Sequence, residues 1–277
     1  MKMARVKAII FAAALIVIMA IGCTGPAKSS AELQAATNIL QKAIQARLLA
    51  LDNDVSDAAG KIARTGLQGQ KTREILSVLC TKYPFVTDCS AVDPGGKMIT
   101  VAPDEYRRFE GTETAKTEAS KQFFKDFNAR KKPLLSSLFR AVEGFDGIVL
   151  VWPVVTAQGE VLGSVSALFK PEALLDDIIG PVARARGIKI NVAQTDGMTI
   201  YCSNGKETGL NLLTDPRYKA YPELLAMGRQ MVARETGMYE YTFADDATGK
   251  PVRKMVFWTS IGLNGTEWRL VSIAELN

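Results

Sequence analysis

The stretch FVTDCSAVDPGGKMITVAP, residues 85–103, decides the fold. Two apolar-rich segments flank Asp93-Pro94-Gly95-Gly96, and such a turn between strand-like segments signals a β-hairpin. A polar, mostly helical excursion follows over residues 104–128. Residues 136–139 read as a third strand. Residues 147–155 and 161–169 read as a fourth and a fifth, joined across Gly159. Lys170-Pro171-Glu172 then opens a short helix, with proline suited to its first turn. That helix is expected to end near Gly180-Pro181.

The same order of events then returns. Residues 188–192 and 198–202 flank Thr195-Asp196-Gly197, and 206–233 are loop and helix. Residues 237–243, 251–260 and 268–273 are three more strands, with turns at Asp245-Asp246 with Gly249 and at Asn264-Gly265. The first hairpin glycine and the last turn glycine lie 63 residues apart in one copy (Gly96, Gly159) and 68 in the other (Gly197, Gly265). The expected fold class is α+β. Each unit is a five-stranded antiparallel sheet with helices inserted between its second and third strands, and one sheet face needs cover.

That cover lies upstream. Apolar residues recur at Leu33, Leu40, Ile44, Leu48, Leu51, Val55, Ala58 and Ile62, one face of a long helix over about 30–66. Gly66 or Gly69 would end it. At 1.5 Å per residue it is about 50 Å long. It either runs as a spine along both units or pairs with another copy. A second helix is expected over 71–80.

The chain opens on Lys2, Arg5 and Lys7, followed by the uncharged run 8–22. A membrane span needs about 20 apolar residues, so this shorter run fits a signal-peptide core. Ala20, Ile21 and Gly22 before Cys23 resemble the lipobox of bacterial lipoproteins, although Leu is usual where Ala20 stands. That resemblance implies cleavage before Cys23 and a diacylglycerol on its thiol. The alternatives are an ordinary secretory signal cut elsewhere, or an uncleaved anchor helix. The expected layout is a signal peptide (1–22), a lipid-anchor tether (23–30), the spine helix (31–69), a membrane-distal unit (70–180) and a membrane-proximal unit (181–277).

The 277 residues contain no histidine. This excludes His-based catalytic triads, HExxH metal sites and haem with a His ligand. Removing residues 1–22 takes away three positive charges and lowers the net charge from +5 to +2. Nothing there calls for nucleic acid. Four cysteines are too few and scattered for a zinc ribbon. In an exported chain Cys80 and Cys89 suit a disulfide, the alternative being two buried thiols. Cys202 is left single. GSVSAL (163–168) lies within a strand rather than at a nucleophile elbow. DPGGK (93–97) and NGKETG (204–209) are too short for a phosphate loop. The expectation is no catalysis, no cofactor and no metal.

A long exported helix followed by two such units resembles the double Cache family, PAS-like extracytoplasmic sensor domains. The residues carrying the likeness are 84–103, FDGIVLVWPVVTAQGEVLGSVSALFKPEALL (145–175), IKINVAQTDGMTIY (188–201), and the strands at 237–261 and 268–273. The resemblance implies a small organic ligand in the distal unit, a carboxylate-bearing metabolite or an amino acid. It also implies a proximal unit that links to the membrane. The stretch 104–111 puts Tyr106, Arg107 and Arg108 where the family lines its pocket. The Trp-Tyr pair of amino-acid-binding members is absent here, since Phe109 follows Arg108. Arg108 is the preferred carboxylate grip, because a guanidinium offers two parallel donors. Solvent-facing loop charges are the alternative for both arginines. Trp152 is expected as a pocket wall or a core aromatic, and Asp146 as an ammonium partner or a turn residue. In the second unit Tyr201, Tyr218, Tyr221, Tyr239, Tyr241, Trp258, Arg229 and Arg234 form a weaker candidate set.

With no output module before Asn277, signalling is expected to pass through a membrane partner. The competing reading is a non-catalytic structural or interaction module, whose long helix mediates homodimerisation or docks a membrane partner.

Overall fold

A computed structural model describes residues 29–114, 117–245 and 248–276. The expected signal peptide and the expected lipidation at Cys23 lie outside the described residues. Among the described residues no helix is long and apolar enough to cross a membrane.

Helix α1 (Ser30–Thr65) starts at a reciprocal cap. The Ser29 hydroxyl accepts from the Glu32 amide, and the Glu32 carboxylate accepts from the Ser29 amide. It ends where Gly66 adopts a φ of +85° and donates to the Ile62 carbonyl at 2.8 Å. Every apolar position in the sequence pattern is buried. Helix α2 (Gln70–Lys82) follows.

The first sheet contains β1 (Val86–Val92), β2 (Met98–Ala102), β3 (Leu134–Leu135), β4 (Phe139–Arg140), β5 (Asp146–Val155) and β6 (Val161–Phe169). Its order is β2-β1-β6-β5-β3, with β4 also pairing β5. The sheet is therefore six-stranded where five strands were expected. The third strand is split in two at Ser136, which keeps one ladder bond, its N–H to the Val149 carbonyl at 2.9 Å, while the Val149 amide donates to the Ser136 hydroxyl at 3.0 Å. A 3-10 turn (Asp104–Phe109) and α3 (Glu118–Arg130) form the insert over its outer face.

Helix α4 (Pro171–Arg186) runs through Gly180-Pro181 instead of ending there. Gly180 has no side chain to crowd the proline ring, and the true stop is left-handed Gly187. The second sheet has β7 (Lys189–Gln194), β8 (Thr199–Cys202), β9 (Gly237–Ala244), β10 (Pro251–Leu263) and β11 (Thr266–Glu275), in the order β8-β7-β11-β10-β9. A 3-10 turn (Pro216–Tyr218) and α5 (Pro222–Ala233) cover its outer face.

Both sheets are antiparallel and turn their inner faces to α1, forming one continuous core along the spine. Polar groups on α1 fix the register. Gln45 exchanges two hydrogen bonds with the Gly262 backbone, at 2.7 and 3.1 Å. Thr37 donates to the Ser272 hydroxyl at 2.8 Å. The outer faces hold two separate apolar clusters, one per unit.

The two hairpins also share a register. Ser90 pairs Val101 and Val92 pairs Met98, with a bulge after Ala91. Asn191 pairs Cys202 and Ala193 pairs Thr199, with a bulge after Val192. Gly96 and Gly197 close the two turns with φ of +87° and +92°. Asp88 therefore corresponds to Lys189, and Ser90 to Asn191.

Candidate functional site

On β1, Cys89 and Ala91 point to the spine, while Asp88, Ser90 and Val92 point to the insert. The partner strand β6 presents Ser164, Ser166 and Leu168 on that outer face, and β5 presents Val149 and Val151. Apolar packing there is thin: Val92, Met98 and Val101 meet Tyr106, Phe109, Phe124 and Val142. Beneath it lies a buried polar row of Asp88, Ser90, Ser164 and Ser166. Ser90 and Ser166 satisfy each other at 2.7 Å.

Asp88 is 1 % exposed, and its Oδ2 has no hydrogen-bond partner among the described residues. An orphaned buried carboxylate oxygen is costly. Burial, with Glu143 repulsion behind it, pushes the Asp88 carboxyl well above the usual carboxylate range. Burial also raises half-buried Glu143. The Tyr106 phenol is raised by burial and then by Asp88 and Glu105, with Arg108 pulling the other way. Asp88, Glu143 and Arg108 thus each act on Tyr106, and Glu143 acts on Asp88. A cation or a hydrogen-bond donor would relieve Asp88.

The expected residues fall unevenly on this geometry. Tyr106 lies on the outer face. Arg108 is exposed and stacks on the Phe109 ring, 4.9 Å from its centroid. Arg107 is exposed and faces Glu110 at 3.9 Å.

Trp152 is not on this face. It packs into the spine core, and its indole donates to Asp52 Oδ1 at 2.7 Å. The strand alternates as expected, but the side turned to the insert is that of Val149 and Val151. Asp146 is also elsewhere: it is exposed at the start of β5 and paired with Arg140 at 3.3 Å.

Cys80 and Cys89 meet where α2 packs on β1, but both remain buried free thiols rather than a disulfide. The Cys80 thiol is spent on the Ala102 carbonyl at 3.5 Å. Burial and then Cys80 raise the Cys89 thiol well above its ordinary value. In the second unit Tyr201 faces inward and donates to Asp176 at 2.9 Å. Tyr218, Tyr221, Tyr239, Tyr241 and Trp258 pack on the outer face beneath α5.

The reading from sequence missed Asp88. Its signal was the single charged residue of the strand VTDCSAV, on the face opposite Cys89 and Ala91.

Two sheet-and-helix units on one long helix define a PAS-like, Cache-type sensor fold, which is used by extracytoplasmic ligand-binding domains. Residues 46–171 match the family model described as "HK/GC/Chemotaxis protein-like, sensor domain". Among solved structures the chain is similar to an extracellular ligand binding receptor from Desulfohalobium retbaense DSM5692. The identity is 29 % and the TM-score 0.72, over 88 % of this chain and 40 % of that one. The chain thus spans well under half of that receptor's length. It is also similar to the ligand-binding domain of the Pseudomonas aeruginosa amino acid chemoreceptor PctB in complex with L-Arg (14 % identity, TM-score 0.62, 88 % and 93 % covered). A third likeness is to the ligand-binding domain of the Pseudomonas fluorescens chemoreceptor CtaA in complex with L-serine (17 %, 0.59, 88 % and 95 %). No curated protein matches significantly in sequence.

Proposed function

We propose that this chain is an exported small-ligand-binding sensor module, held at the membrane through lipidated Cys23. Its first unit would take an amino acid or a related amine on the outer face of the first sheet. The observation that carries the ligand class is the orphaned Asp88 oxygen beneath the insert. An ammonium group would replace the missing donor and relieve the repulsion from Glu143. Arg108, close enough to Tyr106 to act on its phenol, can take a carboxylate on the same molecule. Ligands carrying both groups, L-Arg and L-serine, occupy the two chemoreceptor domains of this fold.

The test is calorimetric titration with whichever amino acid or amine stabilises the protein in a thermal screen. Asp88→Asn is expected to weaken binding about 100-fold, or 2.7 kcal/mol, with circular dichroism unchanged. Arg108→Ala should weaken amino acids and spare simple amines, while Arg107→Ala should do little. Undiminished binding to Asp88→Asn overturns the site. Binding only of amine-free acids overturns the ligand class.

A further inference from the structure

The outer face of the second sheet holds a partly open cavity of about 40 Å³, room for about three waters. Its floor includes Lys189 and Asn191, the counterparts of Asp88 and Ser90. Tyr241 of β9 belongs to the same floor, and the cover includes Glu207, Tyr218 and Met227.

The charges there are already matched. Lys189 donates to Glu207 at 2.6 Å. Lys254, whose side chain is 4 % exposed, donates to the Ala244 carbonyl at 3.0 Å and faces Glu275 at 3.4 Å. The Asn191 side-chain amide nitrogen donates to the other Glu207 oxygen at 2.7 Å. That bond fixes the orientation of the Asn191 amide. Its Oδ1 is left buried without a partner among the described residues, on a residue 9 % exposed.

We infer that this cavity is a second binding site, for a small uncharged molecule carrying an N–H or O–H donor, such as a primary amide. The balance of paired charges favours neither a cation nor an anion, and desolvating an ion there would go uncompensated. What the site lacks is one donor, and an unsatisfied buried carbonyl oxygen discriminates strongly for a ligand that supplies it. Lys254 has a third N–H with which to meet the ligand's own acceptor. Met227, Tyr218 and Tyr241 enclose the remainder. The inference does not depend on the reading of the first unit.

The test is saturation-transfer NMR on the whole protein, with acetamide, methylammonium and acetate as probes at equal concentration. Acetamide should give the strongest transfer. Asn191→Leu, close in volume but without the amide, should reduce it at least tenfold, as should Asn191→Ala, which adds no bulk if the leucine fails to fold. Asp88→Asn should remove the methylammonium signal and spare that of acetamide, so the two sites fail separately. Equal acetamide transfer to the parent and both Asn191 variants overturns the site. A methylammonium or acetate signal that vanishes with Asn191 overturns the ligand class.

Discussion

The two units are built on one plan, and they differ where each sheet turns away from the spine. Their inner faces merge into one apolar core along α1, so neither inner face can change without disturbing the other unit. The outer faces are independent. In matched strand positions the first unit carries Asp88 and Ser90, and the second carries Lys189 and Asn191. Among the described residues, one face buries an acid with no ion-pair partner, and the other a cation already paired to Glu207. The backbone register is the same in both, so chemistry can diverge on the outer faces while the shared core keeps the geometry.

Asp52 on α1 is where that common core is joined by polar contacts. Its Oδ1 accepts from the Trp152 indole of the first unit and from the Asn264 amide of the second, both at 2.7 Å. Hydrogen bonds to a charged acceptor contribute about 1.5–3 kcal/mol each. Asp52→Ala is therefore expected to cost about 3 kcal/mol or more in urea unfolding and to perturb both units in amide exchange. Asp52→Asn, which keeps one acceptor oxygen, should cost less. A loss below about 0.5 kcal/mol, or exchange perturbed in one unit alone, would break the picture of a shared inner face.

Much of this plan was legible in the sequence because helix and strand periods are local signals. The α1 stripe, its stop at Gly66 or Gly69 and the turns at Gly96 and Gly197 needed no tertiary information. What was illegible depended on which side of a strand meets what. Leu150 and Trp152 share one face of β5 and Val149 and Val151 the other; both faces are apolar, so alternation could not say which one meets the spine. Nor could it show that the Ser136 hydroxyl would take the Val149 amide in place of the Ser136 carbonyl, or that α4 would carry Pro181 within it. Asp88 escaped because one acid in a strand has no periodicity. The matching of Asp88 to Lys189 became visible only through the pairing registers.

Titration sharpens the contrast between the outer faces. Burial raises the Asp88 carboxyl above its unfolded value. The native state therefore holds a proton that the unfolded chain has released, and the stability this gives is present in acid and lost as pH rises through the folded value. An ammonium ligand prefers the carboxylate. Its affinity should rise with pH through the same window, by at most about tenfold per pH unit. Glu143 and Tyr106 face the same group and will spread the curve. Asn191 does not titrate, so acetamide binding in the second unit should vary less than twofold over that range. A flat amine profile, or a steep acetamide profile, would erase the distinction drawn between the two faces.

The smallest expected effect separates inner from outer face at a single residue. Trp152→Phe keeps an aromatic ring in the core and deletes the N–H that reaches Asp52. Asp52 would still accept from Asn264. The loss should therefore be near that of one charge-assisted bond, about 1.5 kcal/mol in urea unfolding, and smaller than for Asp52→Ala. Because Trp152 faces the spine, amine affinity in the first unit should change less than twofold. A different balance, with stability intact and affinity lowered tenfold, would mean that the indole reaches the ligand after all. The outer-face assignment built on Asp88 would then have to move to the other side of the sheet. Combining Trp152→Phe with Asp52→Ala checks the same point without any ligand. If the two side chains act through one hydrogen bond, the double variant should lose no more than about 0.5 kcal/mol beyond Asp52→Ala alone.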